Sequence, residues 1–158
     1  MKAEQVPHVR RWAEASFDAG LYCAESVVMS LARAQGIDSE LLPKVATAFC
    51  GGMARTCGTC GAVTGAVMGL GLALGRDRPG ESAQPCYDAT QKLIRQFEDE
   101  FGSRDCHVLL GCNLGTRDGQ AKFRDEHLAQ RCIEYTGRAA EIAATILIGE
   151  EGVFEEFG

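Results

Sequence analysis

Thiols are the groups in this sequence best suited to chemistry, because the chain carries eight cysteines in 158 residues. Cys57 and Cys60 form a C-x-x-C pair within the stretch from Phe49 to Arg76, and Cys60 stands at the entry to an apolar, glycine-rich segment. Cys23 and Cys106 fall in the same kind of place, the first turn of a predicted helix. The first N–H groups of a helix have no intrahelical acceptors and carry the positive end of its dipole, which favours thiolate over thiol. The thiolate is the form that attacks disulfides and ligates metals, so this placement predicts redox or metal chemistry. One buried cysteine reads as a small hydrophobe; eight in one chain argue for more than packing.

Several templates for that chemistry fail. A thioredoxin-type C-x-x-C sits beside a βαβ pattern, which this sequence lacks. A structural zinc site wants a second closely spaced pair, and Cys106 and Cys112 are too far apart to form one. His8, His107 and His127 follow no ligand spacing. There is no C-x-x-C-H attachment motif, so no haem is expected. GLGLALG lacks the G-x-G-x-x-G spacing and a preceding strand, so no nucleotide is expected either. Three uses of the cysteines stay open: four thiolates around an iron–sulfur cluster, a thiol–disulfide or peroxide-reducing pair, or a non-catalytic assembly or metal-binding module. In the second use Cys60 attacks and Cys57 or Cys106 resolves. These readings make the chain an oxidoreductase component without fixing whether it is itself an enzyme.

The elements that must position the cysteines read as helices throughout. Pro7 opens a first helix, Gly20 and Gly36 bound a second that carries Cys23 in its first turn, and Asp38 or Ser39 caps a third that stops at Gly51 and Gly52. The segment after Cys60 repeats Gly61, Gly65 and Gly69 every fourth residue, which places them on one helical face. Each interior glycine costs about 0.8–1 kcal/mol relative to Ala, a cost that makes sense where a backbone, a second subunit or an inorganic group must come close. Further helices run from Pro85 to Phe101, over a short stretch holding Cys106, and from about Ala121 to Ile148 with Cys132 inside. No alternating strand pattern occurs. The expected fold is all-α, a single-domain bundle over 1–158 of five to seven helices around a central Gly-rich helix, with an acidic tail, 149–158, expected to be loose.

A net charge of -6 and no Lys/Arg run argue against a nucleic-acid partner. The Gly-rich segment is short for a membrane span and the N-terminus has no apolar core of the signal-peptide kind, so a cytoplasmic protein is expected and membrane contact disfavoured. The glycine face suggests a homodimer. In a reducing compartment the cysteines point to metal or redox use rather than a disulfide framework.

Cys23, then Cys60-Gly61-Ala62-Val63-Thr64-Gly65, then Cys106 within FGSRDCHVLLG, then Cys132, resemble the landmarks of the C-GCAxxG-C-C family over about residues 8–145. The family label orders its central letters differently, so the resemblance rests on the set of landmarks. It implies a small helical protein to which redox activity is ascribed, related to a domain of split-Soret cytochromes that accompanies haem with an iron–sulfur centre. Carried over position by position, it implies Cys23, Cys60, Cys106 and Cys132 as ligands of an iron–sulfur cluster used for electron transfer or redox sensing. A redox partner protein or a small redox substrate would then be its counterpart. Cys50, Cys57, Cys86 and Cys112 stand as additions to that pattern.

Overall fold

The computed structural model describes residues 1–156, with side chains through Gly149. The expected all-α architecture is present, and no strand occurs among the described residues. After a 3-10 turn at Ala3–Gln5 come α1 (Val6–Asp18), α2 (Cys23–Ala34), α3 (Leu41–Ala46), α4 (Gly61–Leu74) and α5 (Gln84–Phe101), followed by α6 (Cys106–Leu110), α7 (Arg117–Asp125) and α8 (Ala129–Glu156). The count exceeds the expected range by one because the last predicted helix is two. His127 takes φ 54 between α7 and α8, and its left-handed backbone breaks the run and starts α8 just before Cys132. The acidic tail expected to be loose lies, from Glu150 on, outside the residues whose side chains are described.

The core follows from the amphipathic faces of α1, α2, α4, α5 and α8. Val9, Leu31, Leu70, Leu93, Phe97 and Ile142 are among its largest fully buried side chains, and every one of these helices contributes. Burying a side chain of this size contributes about 1.5–3 kcal/mol, which fixes the relative placement of the five helices before any polar contact is counted. Arg10 then ties α1 to α8 through Glu141 at 2.9 Å, and Arg138 ties α8 to α5 through Glu100 at 2.8 Å.

The glycine face of α4 packs against α2 of the same chain. A Cβ on Gly65 would lie 2.5 Å from the Ala24 carbonyl oxygen, and one on Gly69 would lie 2.8 Å from Leu31 Cβ. The close approach predicted from the glycine spacing is therefore a helix–helix contact inside the bundle, and this face has no surface left for a second subunit. No helix among the described residues is long and apolar enough to cross a membrane.

Between α3 and α4 the chain departs from right-handed structure. After a 3-10 turn at Thr47–Phe49, residues Gly51, Gly52, Met53, Ala54 and Arg55 all have φ between 52 and 67, which makes one turn of left-handed helix. For the three non-glycine residues this costs about 1–2 kcal/mol each. The turn is held by Gly58 N–H donating to the Gly52 carbonyl at 2.9 Å and by the Thr56 hydroxyl donating to the Met53 carbonyl at 2.7 Å. The sequence reading placed only a stop at the two glycines, because three consecutive non-glycine residues at positive φ have no sequence signature.

Candidate functional site

Three helix starts and one first turn converge on a single cavity of about 530 Å³. Cys23 is the first residue of α2, Cys106 the first of α6, and Cys60 is the residue that caps α4, with φ -52 and ψ 132. Cys132 lies in the first turn of α8. All four line the cavity, and Cys50 joins them from the residue before the left-handed turn. The remaining walls are largely apolar, with Leu109, Leu110, Leu114 and Phe123 on the side of α6 and α7, and Tyr135 from α8. Tyr135 is held by donating its hydroxyl to the Leu109 carbonyl at 3.2 Å and by edge-on packing against Phe101 at 4.9 Å.

Backbone pairing brings two of these cysteines together. Thr59 and Asp105 form an isolated antiparallel bridge; Cys60 N–H donates to the Arg104 carbonyl at 2.7 Å, and Cys106 N–H donates to the Gly58 carbonyl at 3.0 Å. These bonds lace the entry to α4 alongside the entry to α6. Gly52 makes the approach possible, since a Cβ there would lie 2.5 Å from Cys106 Cβ. Gly61 does the same for the other side of the cavity, where an added Cβ would touch Cys23 Sγ.

The electrostatics differ from the sequence expectation. Burial pushes the Cys60 thiol up to about 12, the nearby Cys106 and Cys132 sulfurs push the same way, and the Ala62 and Val63 N–H groups at the start of α4 oppose the shift. Burial raises Cys132 to about 12, reinforced by Cys106 and Cys112. Cys106 is raised to about 11, again first by burial and then by Cys112 and Cys57. Cys50 is raised by the neighbouring Cys23 and then by burial. The N–H groups at the start of α4 oppose the shift, but desolvation wins, and these cysteines rest as thiols. The mutual influence of Cys60, Cys106 and Cys132 also shows that the three lie within interaction range of one another.

The other cysteines stay out of the cavity lining. Cys57, the expected partner of Cys60 in thiol–disulfide exchange, has φ 62 and is half-buried near Cys106. Cys112 packs at the edge of the main core, and Cys86 is half-buried near the start of α5. Among the described residues no group of three or more His, Cys, Asp or Glu side chains is arranged to hold a single metal ion. Sequence reasoning missed Cys50 as part of the site; the diglycine that follows it was the available signal. It also missed Arg55 and Arg124, exposed guanidiniums that line the cavity and pair with no carboxylate among the described residues.

The family model described as Putative redox-active protein (C_GCAxxG_C_C) matches residues 21–146, a span that includes every cysteine of the cavity. No curated protein and no solved structure matches the chain.

Proposed function

We propose, for a chain that belongs to the C_GCAxxG_C_C family, that the cavity is an iron–sulfur site serving electron transfer or redox sensing, with Cys23, Cys60, Cys106 and Cys132 as its ligands. The observation that supports this most is the convergence of these thiols, from four separate helices, on one largely apolar cavity of about 530 Å³. The donor set suits the group: clusters take four cysteine thiolates, and the cavity offers four sulfurs with a fifth beside them. Side-chain-free Gly52 and Gly61 keep backbone and sulfur close without filling the space. A cluster supplies one-electron transfer at a potential set by its surroundings.

The chain's own residues do the rest. The Ala62 and Val63 N–H groups at the start of α4 favour negative charge on the Cys60 sulfur, which favours the thiolate ligand and a higher potential. Leu109, Leu110 and Phe123 limit water at the sulfurs. Arg55 and Arg124 at the exposed rim favour an anionic centre and an anionic or acidic counterpart. Because Cys60, Cys106 and Cys132 rest protonated, loading the site must release protons, and it is expected to strengthen as pH rises.

Visible absorption of protein purified without oxygen tests the reading. Broad charge-transfer bands that bleach on reduction support it; a spectrum with protein absorption alone, after supply of iron and sulfide, contradicts it.

A further inference from the structure

Cys50 is the cavity thiol outside the proposed ligand set, and it lies beside Cys23. The position a Gly61 Cβ would take lies 3.1 Å from Cys50 Cα and in contact with Cys23 Sγ, so both cysteines back onto the same bare point of α4. Cys23 is the neighbour that does most to raise the Cys50 thiol, whose own S–H donates to the Ala46 carbonyl at 3.7 Å. Both belong to one packing cluster with Ala24, Val28 and Ala46. They differ in access: Cys50 is 7% exposed, whereas Cys23 is half-buried on the cavity wall.

We propose that Cys23 and Cys50 are a dithiol site that closes to a disulfide by exchange with low-molecular-weight disulfides entering the cavity. Cys23, the more accessible sulfur, attacks one sulfur of the small disulfide RSSR; the Cys23–SR bond forms, the RS–SR bond breaks, and RSH leaves with the proton lost by Cys23. Cys50 then attacks the Cys23 sulfur, forming the Cys23–Cys50 bond and expelling the second RSH with the proton lost by Cys50. In sum the dithiol is oxidised by two electrons, and RSSR is reduced to two RSH. The consequence for the cluster rests on the iron–sulfur reading: with Cys23 tied to Cys50 the proposed ligand set is one sulfur short, so loading requires the pair reduced.

The full chain, purified without oxygen, is incubated with excess 2-hydroxyethyl disulfide, alkylated, digested with trypsin and mapped by mass spectrometry. Cleavage separates Cys23, in peptide 12–33, from Cys50, in peptide 45–55. The expected result is these two peptides joined as the main cross-link and released by reductant. In Cys50→Ser, Cys23 should stop at the mixed disulfide with hydroxyethanethiol. Cys50→Ala serves as a second variant, and circular dichroism of both confirms the helical fold. Both peptides recovered unlinked, a dominant cross-link elsewhere such as Cys57–Cys60, or no adduct on Cys23 in correctly folded Cys50→Ser or Cys50→Ala overturns the proposal. Iron loading of the reduced chain is measured separately: a cluster without the Cys23–Cys50 bond ends this proposal alone, and the bond without a cluster ends the iron–sulfur reading alone.

Discussion

Five cysteines of this chain line one cavity and three do not, and Cys86 shows what separates the two groups. Like Cys23, Cys106 and Cys132 it lies in the first turn of a helix, two residues after Gln84 opens α5. Yet α5 begins after the surface stretch 75–83, away from the laced entries of α4 and α6. A helix start is therefore not enough to make a site. What recruits a cysteine is delivery to the same end of the bundle, where Gly52 leaves room beside Cys106 and Gly61 beside Cys23 and Cys50.

Substitution of the two groups should break this comparison most sharply if it is wrong. Cys60→Ser or Cys106→Ser is expected to lower iron bound per chain by more than the roughly 10–100-fold in affinity that loss of an outer-shell partner costs. Cys86→Ser should leave it unchanged. Equal losses from Cys86→Ser and Cys60→Ser, measured by iron analysis after anaerobic loading, would remove the distinction.

The next largest effect concerns the glycine face that holds the cavity wall. Gly65→Leu must displace the Ala24 backbone, at a cost of about 3 kcal/mol, and should lower Tm by about 6–12 °C. Thermal denaturation followed by circular dichroism reads this directly. An unchanged Tm would mean that α2 and α4 are not packed as described.

The contrast also has a pH dependence with a definite sign. The raised cavity thiols hold their protons in the folded chain above the ordinary value of 9.0, while the unfolded chain releases them near it. Stability of the metal-free protein is therefore complete below about pH 9 and falls as pH rises toward 11–12, by about 1.4 kcal/mol per pH unit for each such thiol. Denaturant titrations at pH 8 and pH 10 should show the loss, and the Cys60→Ser variant should show less of it. A stability that stays level across that range would contradict burial of these thiols.

The smallest effect lies at the other end of the same helix. A Cβ on Gly71 would meet nothing within 4 Å, so Gly71→Ala should gain helix propensity without a clash, about 1 kcal/mol of stability. A rise in Tm beside the fall for Gly65→Leu separates glycines that make room from glycines that do not.

Much of this arrangement was legible in the residues. Spacing of four put Gly61, Gly65 and Gly69 on one face, and position in predicted helices singled out Cys23, Cys60 and Cys106. What escaped depended on the third dimension. The partner of the glycine face is α2, which spacing alone does not name. Cys50 became part of the site through a left-handed turn containing Met53, Ala54 and Arg55, none of which favours that backbone. The break at His127, which brings Cys132 into the first turn of α8, has no proline or glycine to announce it. The protonation of the thiols followed from burial, a property of the assembled bundle that helix dipoles could not foretell.

The central claim is that sulfurs from separate helices act together on one inorganic centre. Iron and acid-labile sulfide, measured per chain after anaerobic reconstitution and removal of unbound reagents, address it most directly. The account predicts both in stoichiometric, near-equal amounts in the unmodified protein. Iron and sulfide at background, in protein whose helical spectrum is intact and whose cysteines are all reduced, would contradict it.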